Sequence, residues 1–254
     1  MSASILQRMR TAYAVNRLTR RYYRANQIPY SCDYYVNGDK INLSGPDTLV
    51  MLIGIVLNDT YGLKRFQNLE NIVDIGANIG IFSIYAATLF PEAKILAYEP
   101  CSETFSNLKK NVGSFNIQIY PYAVGQHAGK VNLSVEGDLT ACYVAKNDSS
   151  SFSSSQVCDM ISFQEIVDHM NGKIELLKLD CEGSEYEIIE SPSFNCVENV
   201  VGEFHTCEQG NPEYGLELLK EKGFTIEQWL KFPDGKAGEF WARNHQNQKE
   251  TNYG

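Results

Sequence analysis

The sequence predicts an α/β fold, a mostly parallel sheet with helices on both faces and an antiparallel hairpin at one edge. From residue 71 onward, short apolar runs alternate with stretches of helical periodicity, the pattern of strand–helix–strand units. The first of those runs ends in a glycine-rich turn, Asp74-Ile75-Gly76-Ala77-Asn78-Ile79-Gly80. Near the end, two further runs flank Pro233-Asp234-Gly235, a tight-turn sequence that suits an antiparallel pair.

Residues 4–26 read as a helix, with Ile5, Met9, Ala12 and Leu18 at helical spacing. Residues 27–45 read as irregular, with a hairpin turning at Asn37-Gly38. A helix over 46–58 starts near Pro46. Asn71–Ile75 is a buried strand, and Ile79–Phe90 a helix stopped by Pro91. Lys94–Tyr98 is the second strand. Ser102–Val112 is a helix, capped by Ser102 with Glu103 in its first turn. Ile117–Val124 is the third strand, followed by a hairpin insertion of Lys130–Val135 with Thr140–Ala145. Asp148–Ser155, with six serines, is an exposed loop. Phe163–Met170 is a helix, Ile174–Asp180 the fourth strand, and Ser184–Glu190 a helix ending at Pro192. Val197–His205 is the fifth strand, and Glu213–Lys222 a helix closed by Gly223. Phe224–Lys231 and Gly238–Arg243 form the last hairpin, before a polar tail from His245. The expected division is an N-terminal helical arm with an irregular segment, 1–45, and one domain, 46–254.

Composition narrows the function. The chain of 254 residues is 43% apolar, enough for a sizeable core, and has no run of about 18 apolar residues that would span a membrane. No secretory signal is visible at its start. Seven cysteines, an odd count without a C-x-x-C pair, exclude a disulfide framework or zinc ribbon and fit reduced thiols in a cytoplasmic protein. The net charge of −9 is uneven. Six of the 22 basic residues, Arg8, Arg10, Arg17, Arg20, Arg21 and Arg24, precede the first acid, Asp33. The acidic remainder does not suit nucleic acid. The arm, in contrast, suits anionic lipid at a membrane surface, the acidic face of a partner subunit in a homodimer, an anionic substrate, or simply packing on its own domain.

Four segments carry chemistry. In the glycine-rich turn, two glycines sit four apart behind Asp74, so the three glycines of a pyrophosphate fingerprint are missing. A carboxylate there repels pyrophosphate and suits a ligand with a cationic end. Glu99, in Ala97-Tyr98-Glu99-Pro100, ends the next strand, where an acid accepts hydrogen bonds from ribose hydroxyls. Lys178-Leu179-Asp180-Cys181-Glu182-Gly183-Ser184-Glu185 puts three carboxylates at the end of a buried strand. Such crowding raises carboxyl pKa values and suits a general base or a hard divalent cation, with at least one acid structural. Glu203 and His205 point the same way from the following strand.

Together, in this order, these segments resemble the FkbM family of methyltransferases, from about residue 55 to 206. The matching residues are Val73 to Gly80, Glu99-Pro100, Tyr122-Ala123-Val124-Gly125, Lys178 to Glu185, and Glu203-Phe204-His205. The resemblance implies a class I methyltransferase (Rossmann-like) fold, a seven-stranded sheet whose last strand is antiparallel. It implies S-adenosylmethionine as donor and a hydroxyl acceptor on a sugar, glycan or other natural product. It further implies that Asp74, Gly76, Ala77, Asn78 and Gly80 contact the methionine part, that Glu99 and Pro100 lie at the ribose, and that Tyr122 and Ala123 lie at the adenine. Asn58-Asp59-Thr60-Tyr61 resembles the segment that closes over the cofactor, which brings in Tyr61, with Asp180 also at the cofactor. Asp180 or His205 is the expected proton acceptor, oriented by Glu182 and Glu203. A divalent metal on those four residues is the open alternative. Two other classes remain: a nucleotide-dependent oxidoreductase on a related fold, and a non-catalytic S-adenosylmethionine-binding protein.

Overall fold

The computed structural model describes residues 30–36, 39–135, 142–145 and 155–245. The predicted N-terminal helix with its arginines, the Asn37-Gly38 turn, most of the serine-rich run and the tail beyond His245 lie outside the described residues. Strands β1 (Ser31–Val36) and β2 (Asp39–Ser44) pair antiparallel, as expected for a hairpin. Helix α1 (Thr48–Met51) continues directly into a π-helical segment, Leu52–Asn58. Then come β3 (Asn71–Ile75), α2 (Ile81–Leu89), β4 (Lys94–Tyr98), α3 (Ser102–Asn111) and β5 (Ile117–Tyr120). A second sheet holds β6 (Ala123–Gly125), β7 (Gly129–Val135), β8 (Cys142–Ala145) and β9 (Ser155–Ser162), in the order β6-β9-β7-β8. The chain continues with α4 (Phe163–His169), β10 (Leu176–Leu179), α5 (Glu185–Glu190), β11 (Asn199–His205), α6 (Pro212–Glu221), β12 (Phe224–Lys231) and β13 (Ala237–Asn244).

The main sheet runs β12-β13-β11-β10-β3-β4-β5. Neighbours from β11 to β5 are parallel, and β13 is antiparallel to both β11 and β12. This is the seven-stranded, mostly parallel sheet of the class I methyltransferase fold. Side chains alternate between two cores, one on each face. On β3, Ile72 joins a core with α1, α2, α3 and the β1–β2 hairpin, while Val73 and Ile75 join a core with α4, α5 and α6. No helix among the described residues is long and apolar enough to cross a membrane.

Three local expectations are corrected. The run Ile117–Val124 is not one strand. Pro121 lacks the N–H that a ladder needs, so β5 stops at Tyr120 and β6 leaves for the second sheet. Cys101, not Ser102, occupies the cap position of α3, and no side chain caps it. Strand β9 was not anticipated: its Ser155-Gln156 start lacks the apolar alternation that marks a strand.

The sheet also holds a buried ion pair. Lys178 of β10 lies directly opposite Asp74 of β3, with Nζ 3.3 Å from Oδ1. Asp74 is wholly buried and accepts a 2.6 Å hydrogen bond from Ser83 of α2. Burial pushes the Asp74 carboxyl up and Lys178 pulls it back. Burial also opposes the charge on Lys178, but Asp74 and Asp180 outweigh it and hold the ammonium above its ordinary value.

Removing one member of a buried pair leaves the other uncompensated, at a cost of about 3–5 kcal/mol. Lys178→Met is therefore expected to lose about that much stability in urea unfolding. Adding Asp74→Leu should recover a substantial part of it. Equal stability of Lys178→Met and the parent would contradict a structural role for the pair.

Candidate active site

A cleft of 310 Å³ opens at the carboxyl ends of β3, β4, β10 and β11, roofed by α1 and the π-helical segment. The topology puts it there, because the turns leaving these parallel strands converge at one edge of the sheet. Gly76, Ala77 and Asn78 line it after β3, and Glu99 and Pro100 after β4. Asp180, Cys181 and Glu182 line it after β10, with Glu203 of β11 and Glu239 of β13. Val50, Met51, Gly54 and Ile55 supply an apolar wall from above.

The glycine-rich turn is shaped by contacts within the chain. A Cβ on Gly76 (φ 76°) would not enter ligand space; it would strike the Asp180 carbonyl oxygen at 1.7 Å. The glycine lets the β3 and β10 turns touch. The amides of the turn are engaged within the chain. Gly76 and Ala77 N–H donate to the Tyr98 carbonyl at 3.0 and 2.9 Å, and Gly80 N–H to that of Ala77 at 2.8 Å. Asn78 N–H donates to Glu99 Oε2 and Ile79 N–H to Asn78 Oδ1, each at 2.8 Å. Amides so engaged form no phosphate cradle.

The other anticipated cofactor residues divide. Asp74 and Gly80 do not line the cleft: Asp74 belongs to the ion pair with Lys178, and Gly80 faces Leu108 of α3 and Val112 just beyond it. Glu99 lines the cleft at 7% exposure, accepting the amides of Asn78 and Cys101, and burial pushes its carboxyl up to about 7. Tyr122 and Ala123 border a smaller hollow of 20 Å³ that shares Gly76, Pro100 and Cys181 with the cleft. Tyr61 lines the cleft and donates to Asp180 Oδ2 at 2.9 Å.

The acidic end is held by two cations. Lys178 Nζ lies 3.5 Å from Asp180 Oδ2. Burial raises the Asp180 carboxyl, but Lys178, His205 and the Tyr61 hydroxyl overcome this and keep it below its usual value. Asp180 is therefore a carboxylate at neutral pH. His205 does not line the cleft. Its Nδ1 lies 3.1 Å from Glu185, and its Nε2 lies 3.3 Å from Glu203 and 3.6 Å from Glu182. Burial lowers the ring's pKa, but the bonds to Glu185 and Glu203 push it up to about 12. An imidazolium has no lone pair with which to accept a proton. Burial pushes Glu182 up to about 7, with His205 pulling it down.

Glu185 is the structural acid of the segment. It is fully buried and accepts the amides of Cys181 at 2.9 Å and Gly183 at 2.7 Å. Asp180, Glu203 and His205 each offer one ligand atom, all within 4.8 Å of one another, close enough to surround a divalent cation. Sequence reasoning missed Lys178 as the organiser and Glu239 as a wall. A lysine inside Leu176-Leu177-Lys178-Leu179 was the available signal for the first, since an apolar strand hides a cation only beside an acid.

The methyltransferase FkbM domain family matches residues 74–231 of this chain. Methyltransferase sdnD of Sordaria araneosa is 29% identical over 210 residues, covering 68% of this chain and 80% of that protein. Methyltransferase 1 of Beauveria bassiana (strain ARSEF 2860) is 25% identical over 199 residues, covering 68% and 79%. Among solved structures, Aeropyrum pernix fibrillarin, which carries natively bound S-adenosyl-L-methionine, is 12% identical. That match covers 85% of this chain and 84% of fibrillarin at a TM-score of 0.48, a likeness that adds nothing to what the sheet order establishes. The family match takes in most of the chain, including the β3 turn, the acidic segment after β10 and the β11 end, and the chain belongs to the FkbM-domain family of methyltransferases.

Proposed function

We propose that the chain is an S-adenosylmethionine-dependent O-methyltransferase, with the donor against the turns after β3 and β4 and the acceptor hydroxyl beside Asp180. The observation that carries this reading is Asp180 itself, an ionised carboxylate on the cleft wall, held through Oδ2 by Tyr61 and Lys178. The surroundings fit the cofactor. Engaged amides and clustered carboxylates offer nothing to a pyrophosphate, but suit a cationic ligand that bears a ribose diol. Gly76, Ala77, Asn78, Glu99 and Pro100 are the residues that would hold it. S-adenosylmethionine, when bound, supplies a methyl group on a cationic sulfur.

The chain's own residues then have two tasks. The first is to hold the acceptor oxygen in line and keep water out, where orientation contributes roughly 7–11 kcal/mol. The apolar wall of α1 and the π-helical segment serves this. The second is to receive a proton. As the acceptor oxygen gains a bond it becomes far more acidic than a carboxylic acid, so a base of ordinary carboxylate strength is enough. Asp180 takes the proton, and Glu182 passes it to solvent. His205 and Lys178 keep Asp180 ionised, and Glu203 holds His205 in place. A sugar, glycan or other natural product is the acceptor class, in keeping with the family resemblance.

A metal-assisted version has one observation in its favour, the convergence of Asp180, Glu203 and His205. A divalent cation there would lower the pKa of the acceptor hydroxyl. Activity that survives thorough chelation excludes it.

An acceptor screen with methyl-labelled S-adenosylmethionine comes first. With an acceptor in hand, Asp180→Asn is expected to lower kcat by about 10²- to 10⁴-fold. Its affinity for S-adenosylhomocysteine, by calorimetry, should be retained. A normal rate removes Asp180 from the chemistry. Tighter binding of NAD than of S-adenosylhomocysteine would favour the oxidoreductase class, and cofactor binding without turnover on any acceptor the non-catalytic one.

The pH profile is a separate test. Glu182 is raised to about 7, so its relay form is the deprotonated one and kcat should climb as pH passes through about 7. In Glu182→Gln that limb should vanish. An unchanged limb assigns it to another group.

A further inference from the structure

We propose that the terminal hairpin is a clasp for the active site: Trp241 and Arg65 set the segment that carries Tyr61, and Tyr61 fixes the orientation of the Asp180 carboxylate. Tyr61 and Trp241 are thus positioning residues for methyl transfer. The proposal rests on the reading of Asp180 as the proton acceptor.

Tyr61 has no regular element of its own. It lies between the π-helical segment and a short 3₁₀ turn, Leu63–Arg65, flanked by left-handed residues at Asp59 (φ 58°) and Gly62 (φ 62°). Among the described residues, no ladder of the main sheet includes this stretch, which is held by side chains. The contacts come from β12 and β13. The indole Nε1–H of Trp241 donates to the Thr60 carbonyl at 2.8 Å. The same ring packs under Gly62, where a Cβ would come within 2.8 Å of it, so the approach requires a glycine. The Arg65 guanidinium lies 4.4 Å from the centre of the Trp241 ring and 4.7 Å from that of Phe66. It pairs with Glu227 of β12 at 2.7 Å, and Glu227 in turn meets Arg243 of β13 at 3.3 Å. These contacts lie on both sides of Tyr61 in sequence.

Tyr61 is buried, at 6% exposure, with its ring edge-on to Phe82 at 5.6 Å. Its hydroxyl reaches Asp180, 119 residues away. Both Tyr61 and Lys178 approach Oδ2, which leaves Oδ1 for the acceptor. Lys178 alone does not orient the carboxylate, because a point charge at 3.5 Å tolerates rotation. A directed O–H bond does not. The hairpin thereby acts on the chemistry through one hydroxyl.

The test uses the full chain with Tyr61→Phe, Trp241→Phe and the double variant, beside Asp180→Asn. Tyr61→Phe should lower kcat by about 10- to 100-fold, the scale of a small misplacement at a reacting group. S-adenosylhomocysteine affinity should stay within about threefold. Trp241→Phe keeps a ring under Gly62 but removes the Nε1–H, and should lower kcat severalfold. In the Tyr61→Phe background, Trp241→Phe should lower kcat no further, which separates positioning from general destabilisation. Should Trp241→Phe fold poorly, Arg65→Met carries the same expectation, since it removes the stack and the Glu227 pair. Multiplying effects in the double variants overturn the clasp, as does a normal kcat in Tyr61→Phe while Asp180→Asn is impaired. A normal kcat in Asp180→Asn instead overturns the underlying reading of the site.

Discussion

Lys178 carries its charge into the middle of a seven-stranded sheet at 3% exposure, and the ends of β3 and β10 are organised around it. Its ammonium faces Asp74 across the strand pair, donates to the Gly76 carbonyl, and lies near Asp180. Through Asp74 and Ser83 it also reaches α2. A helix, a cleft-lining turn and the Asp180 carboxylate therefore share one cation. An isolated charge in this place would be prohibitively unfavourable, so each partner is a condition for the others.

The same economy of sign extends along the cleft. Its walls carry Glu99, Asp180, Glu182, Glu203 and Glu239, and among the described residues the one cation lining it, Lys178, is already paired. His205 stands behind, enclosed by Glu182, Glu185 and Glu203. Negative walls and engaged turn amides act together against a phosphate, and the negative walls favour a ligand of positive charge. On the proposed reading the donor's charge assists its binding there, and an anionic acceptor would meet opposition.

Much of this was legible beforehand. The strands β3, β4, β10 and β11 announce themselves as apolar runs that end in glycine or acid, and the final hairpin by Pro233-Asp234-Gly235. The lining of the cleft by Asn78, Glu99, Asp180 and Glu203 followed from strand ends alone. What escaped depends on contacts remote in sequence. Asp74 looked like a ligand contact because its spacing says nothing of Ser83 or of the strand that pairs beside it. The bond from Tyr61 to Asp180 was not legible, since it exists only once the sheet has formed. His205 looked like a base because one line of sequence cannot reveal how many carboxylates surround a ring.

The contact between Gly76 and the Asp180 carbonyl has a consequence for how this scaffold varies. Two turns, one after β3 and one after β10, meet backbone to backbone, with no room for a single methyl group between them. On the proposed reading, the span from donor to base is gauged by these main-chain atoms, which lie apart from the cleft's far walls. If the acceptor lies where we propose, residues such as Val50, Gly54 and Glu239 can be exchanged to admit a differently shaped one while the reacting distance stays as it was, so such an enzyme changes clients without recalibrating its chemistry.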